Sequence, residues 1–223
     1  MKKIASIISV LTICAVVLFC GCSSNNVGYD KVISEIRSEV YTGEVNGYKF
    51  TGASGEREKN YKIDGVANGR EDFFIFTVEG VFASAPTCLF TLGEKVYEGV
   101  MKKHPFNDSY SYEVNVKTNE KEVDVSVKCG NDTMQTKLKT VKTDSSITSS
   151  QALNKARSSL KKTLDKHLKN GVFDGEVYVR IIANPVDNDG RYFWYVAFCK
   201  SEKECFSALI DLQSGELIAS KSE

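Results

Sequence analysis

The chain has 223 residues, 29 Lys plus Arg against 29 Asp plus Glu, and 42% hydrophobic side chains. Such a neutral balance lacks the basic excess of a nucleic-acid binder, and nucleic acid is excluded as a partner. The length allows one large domain or two small ones.

The first residues set the location. Lys2 and Lys3 precede an apolar run from Ile4 to Phe19. That run is short for a span of roughly 20 residues and has the flanks of a secretory signal. It ends in "LFCGC", where small Gly21 precedes Cys22. This pattern resembles the lipobox of bacterial lipoproteins, although Phe19 stands where that family usually has Leu. The resemblance implies a signal peptide over 1–21, removal before Cys22, and lipid (palmitate among the acyl groups) on the new N-terminal cysteine. Cys20 is a rival position, disfavoured by bulky Phe19 before it. Each buried methylene contributes about 0.8 kcal/mol, so two chains anchor where one does not. The expected location is the extracytoplasmic face of the cell membrane. Residues 22–28, with "SSNNVG", read as a tether.

Residues 29–143 read as a β-rich domain of no recognised family. A short amphipathic helix is expected first, because Val32, Ile33, Ile36 and Val40 share a helical face. "GYKFTGASGEREKNYKIDGV" alternates on both sides of polar "ASGERE", as a hairpin does. "DFFIFTVEG" is a buried strand. The runs around Val114, Val123–Val127 and Met134–Val141, separated by turns at Asn119 and "CGND", predict a β-meander with one face to the core.

"KTDSSITSS" marks a boundary, and residues 144–223 read as a second domain. Thr148 and Gln151 fit a capping box. Leu153, Ala156, Leu160, Leu164 and Leu168 form one helical stripe. Lys166, His167 and Lys169 suit the last turn, and Gly171 follows it. Four strands come next: "EVYVRIIA", "RYFWYVAFC", "ECFSALID" and "GELIAS". The helix start "ITSSQALNKA", the aromatic strand "YFWYVAF" and the closing hairpin "ALIDLQSGELI" resemble the PepSY domain over about 75 residues. In that hairpin Asp211, Gly215 and Glu216 carry the likeness; Asp211 caps the turn and Gly215 supplies its positive φ. The basic helix and the cysteine-bracketed loop depart from the family. The resemblance implies a non-catalytic module that binds or restrains an envelope protein, with a peptidase as one class of partner, and supplies no transferable active-site residue. The fold class so expected is α+β: a β-rich antiparallel N-terminal domain, then a small PepSY-like domain of helix plus antiparallel sheet.

Chemistry is sparse. Four cysteines remain after processing, and four allow three pairings. "CKSEKEC" places Cys199 opposite Cys205 across a hairpin, which leaves Cys88 with Cys129; the bridges would contribute about 2 and about 4 kcal/mol by the chain-entropy model. Four reduced thiols are the alternative. His104 and His167 lie in different regions, and no C-x-x-C or HExxH spacing points to a metal. No nucleophile elbow or phosphate loop occurs, so no catalytic residue, metal or cofactor is assigned. "DNDG" at 187–190 has the flavour of a calcium loop but lacks the twelve-residue ligand series, and reads as a hairpin turn. Residues 151–169 carry six basic side chains and one acid, either a solvated face or a membrane-facing one. The expected function is a lipid-anchored, non-catalytic binding or regulatory module. The alternatives are a small-ligand or solute-binding lipoprotein, and a hydrolase with its site in 29–143.

Overall fold

The computed structural model describes residues 28–59, 62–187 and 189–222. The expected signal peptide over 1–21, Cys22 and the expected tether up to residue 27 lie outside the described residues. A 3₁₀ turn, Tyr29–Val32, leads into β1 (Ile33–Val45), β2 (Tyr48–Glu58), β3 (Arg70–Glu79), β4 (Thr87–Leu92) and β5 (Lys95–Val100). Next come β6 (Lys102–Lys103), β7 (Ser109–Val114), β8 (Glu122–Cys129) and β9 (Asp132–Thr140). The helices α1 (Ser149–Ser159) and α2 (Lys161–Leu164) follow, then the small hairpin β10 (Leu168–Lys169) and β11 (Val172–Phe173). The chain closes with β12 (Glu176–Ala183), β13 (Tyr192–Ser201), β14 (Glu204–Asp211) and β15 (Leu217–Lys221).

Thirteen strands form one sheet, and β1 is its spine. β1 pairs with β2 along its length; on its other side it pairs in parallel with β12 over Ile33–Arg37, then antiparallel with β9 at Tyr41–Thr42. The change of neighbour follows a bulge between Arg37 and Glu39, which bends the strand and strengthens its twist. Beyond the bulge, β2–β3–β7–β6 and β9–β8–β4–β5 curve toward each other as a nearly closed barrel. Its interior is filled by Tyr41, Phe50, Phe74, Phe76, Phe90 and Leu138, with Phe74 and Phe76 tilted or edge-on against Phe90 at 5.1 and 5.9 Å. Before the bulge, α1 covers one face of β12–β15, burying Ala152, Leu153 and Ala156 against Val179, Trp194 and Ile210.

This corrects the α+β expectation. Among the described residues strand accounts for 55% and helix for 11%, with two short helices and no helix domain. Residues 33–45 are strand rather than helix: the bulge between Ile33 and Glu35 adds one residue, so two positions on one strand face fall three apart and imitate helical spacing. "ASGERE" is no turn but the second half of β2. Its small residues are there because backbone approaches closely; a Cβ on Gly55 would lie 1.9 Å from the Ile36 carbonyl oxygen. The real β1–β2 turn is Asn46–Gly47, both at positive φ, the pairing that type I′ hairpins favour. β7 pairs with β3 and β6, not β8, so the meander reduces to the β8–β9 hairpin. The helix stops early: Leu160 leaves helical geometry at φ −98° and ψ 11°, and Leu168 is in a strand rather than on the stripe.

Candidate functional site

The cysteines come first. Cys199 and Cys205 are cross-strand partners in β13–β14 and form a disulfide with Cα atoms 4.1 Å apart. Cys88 and Cys129 are not joined, which corrects that pairing. Register is the reason: Cys88 sits opposite Val127, leaving Cys129 two residues further along β8 with its Sγ 3.6 Å from the Ser84 carbonyl oxygen. Cys88 is fully buried and its thiol is pushed up to about 12 by desolvation, which makes it a packing residue rather than a nucleophile. His104 is exposed beside Phe106, whereas His167 stacks on Phe206 at 4.9 Å. Among the described residues no group of three His, Cys, Asp or Glu could hold a metal, and no helix is long and apolar enough to cross a membrane. The 187–190 turn lies partly outside the described residues; Asp189 there accepts from the Arg191 guanidinium at 2.5 Å.

Buried charge concentrates where β1 meets β12. The Glu35 carboxylate is held by Arg37 at 2.9 Å and Arg180 at 2.8 Å, and the Arg180 guanidinium lies 4.4 Å over the Tyr178 ring. Next along the seam, Glu176 is fully buried. It accepts from the backbone N–H groups of Asp64, Gly65 and Val66 at 2.8, 2.5 and 3.0 Å, and from the Ser34 and Tyr178 hydroxyls. Burial and the facing Glu176 hold the Tyr178 phenol above its ordinary range. With five donors around it, Glu176 has no open side for a substrate. It pins the segment 62–69 across the sheet face opposite α1.

Two clefts remain. The first, about 440 Å³, lies at the bulge, where Lys142 Nζ meets Glu39 at 2.5 Å beside Thr118 and Trp194. Its charges neutralise one another, and its lining contains neither thiol nor imidazole. The second, about 680 Å³, lies at the far end of the barrel between the Asn46–Gly47 turn, the segment 80–86 and the turn after Cys129. Phe82 fixes its wall by resting on Tyr48 at 5.1 Å and edge-on to Tyr110 at 5.3 Å. The Gly80 N–H donates to the Asp108 carbonyl at 2.7 Å, which ties this wall to the loop of residues 104–108. Val81 in that wall is 74% exposed, and Phe106 in the tied loop is 91% exposed. Apolar side chains displayed around a partly polar hollow are the composition of an interaction surface.

The chain matches no protein-family model, no curated protein and no solved structure. The functional reading therefore stands on geometry. The far cleft was missed by sequence reasoning because its walls come from three turns far apart in the chain. "VNGY", with its Asn-Gly pair, was the one signal that could have placed a wall of it.

Proposed function

We propose that the chain is a lipid-anchored, non-catalytic binding module on the extracytoplasmic face of the membrane, which holds out its far cleft to an envelope protein. The observation that carries this reading is the separation of the two ends of β1. The chain enters the fold at Tyr29, and the cleft lies beyond Val45, at the other end of a strand whose contour spans at most about 40 Å at about 3.3 Å per residue. An anchor at Cys22 would hold the first end at the bilayer and present the second outward. The PepSY-like closing turn favours a peptidase as the class of partner: Asp211 accepts from the N–H groups of Gln213 and Ser214, and Gly215 follows at φ 69°.

The test is a photo-crosslinking residue placed in intact cells at Phe106 or Val81, with Lys139 on the barrel wall as control. The expected result is one protein joined at both rim positions and absent at Lys139. Identical products at rim and wall, or none at the rim, would overturn the reading. The volume of the same cleft lies within the usual range of small-molecule sites, about 300–1,000 Å³, which favours small-ligand binding as the second reading. Thermal stabilisation by a ligand that blocks the crosslink supports it.

A further inference from the structure

We infer that the basic face running through Lys162, Lys166 and Lys169 seats the molecule on anionic phospholipid headgroups. This deepens the proposed function and rests on its anchoring at Cys22, to which it adds an orientation.

The first observation is where the chain leaves the fold. Tyr29 is buried with Leu160, Leu164 and Phe173, and the Arg157 guanidinium lies 4.0 Å over its ring. A Cβ on Gly28 would come within 2.8 Å of Val172. The N-terminus thus departs between the α1–α2 segment and the β10–β11 hairpin. Seven peptide steps separate Cys22 from Tyr29, a reach of at most about 24 Å. Whatever surface surrounds Tyr29 is therefore kept close to the bilayer.

The second observation is the charge beside the Tyr29 hollow, whose own wall includes Arg157, Lys161, Leu164, Asp165 and Leu168. Lys162, Lys166 and Lys169 are exposed, and Lys155 lies one turn of helix or more upstream on α1. The one acid in residues 151–169, Asp165, is taken up by Lys161 at 2.6 Å. Between Lys166 and Lys169 stands Leu168, 38% exposed, at the tip of the tether side. Lysines around an apolar residue suit an interface where ammonium groups meet phosphates and the leucine sinks among headgroups. Each basic residue near such a surface raises partitioning about fivefold. Acids from the following elements border the patch: Glu204 lies 3.9 Å from His167, and the Asp174 N–H donates to the His167 carbonyl.

Amine-reactive footprinting tests the proposal on the full lipidated protein, with vesicles of phosphatidylcholine alone or mixed with phosphatidylglycerol. The expected result is a several-fold fall in modification of Lys162, Lys166 and Lys169 on the anionic vesicles only, with Lys128 and Lys139 on the barrel unchanged. Salt at about 0.5 M, where charge is screened within about 4 Å, should restore reactivity. Lys162→Glu with Lys166→Glu should leave the circular dichroism spectrum unaltered and return Lys169 to its reactivity on neutral lipid. Equal reactivity on both vesicles overturns the proposal. Failure to float with neutral vesicles instead speaks against the anchor, and the footprint on material floating with anionic vesicles then still decides the basic face; if nothing floats with either, both readings fall.

Discussion

The barrel-like half and the helix-backed half share one strand and solve burial differently. The barrel half bends a sheet around itself, so its strands bury aromatic rings inward and need no second layer. The sheet of β12–β15 stays open and needs two covers, α1 on one face and residues 62–69 on the other. A covering helix demands only an apolar stripe. A covering loop brings backbone N–H groups that cannot be left unpaired, and Glu176 is buried to receive three of them. The open half thus depends on a buried carboxylate, whereas the barrel interior is filled with aromatic and aliphatic side chains.

Substitutions can break this contrast, beginning with the largest effects. Glu35→Ala leaves Arg180 at the seam without its carboxylate, a loss of about 3–5 kcal/mol; chemical denaturation should show it, with hydrogen exchange rising first in β12 and residues 62–69. Phe74→Ala empties the barrel core at a cost of about 3–5 kcal/mol. Because β1 belongs to both halves, the Phe74 variant should still unfold in one transition by both near-UV and far-UV signals, and two separated transitions would refute the shared-spine account. Cys199→Ser opens a short loop and should lower stability by about 2 kcal/mol, acting on the open half. Thr148→Ala removes the acceptor for the Gln151 N–H, worth about 1 kcal/mol, and should fray α1 without touching the barrel.

The smallest effect depends on pH. The hydrogen bond from Lys117, with Arg70 beside it, holds the Glu56 carboxyl below its ordinary value despite partial burial. Its stabilisation is therefore complete above the unfolded pKa of about 4.5 and is lost as pH falls through the lower folded value. Glu56→Gln should lower Tm slightly at neutral pH, and that difference should vanish in acid. A constant difference across the range would show that the ion pair contributes nothing.

What could be read from the sequence was local. The capping box at Thr148 and Gln151 forms in both directions, "DFFIFTVE" is a central strand with Phe73, Phe74, Phe76 and Val78 buried, and Cys199 faces Cys205. These depend on neighbours within a few residues. Partners chosen at a distance were illegible. Val114 looked like the start of a meander, yet the Thr118 N–H is drawn to the Ser54 hydroxyl at 2.9 Å, carrying the chain away from β7 before β8 begins. Bulges were equally silent: one extra residue before Glu35 converted a strand into apparent helix. The far cleft combines both difficulties, since turns supply its walls and strand pairing brings them together.

The position of β1 also bears on how the molecule carries a load. A pull on the chain at Gly28 runs along the axis of β1, whose first residues are bonded to β12 on one side and β2 on the other. Those bonds lie across the direction of force and must slip together, rather than open one after another as at a peeled edge. Tugging at the N-terminal end would thus meet a stiff line through the fold, and the weaker edge, β15, lies out of the path of the strain.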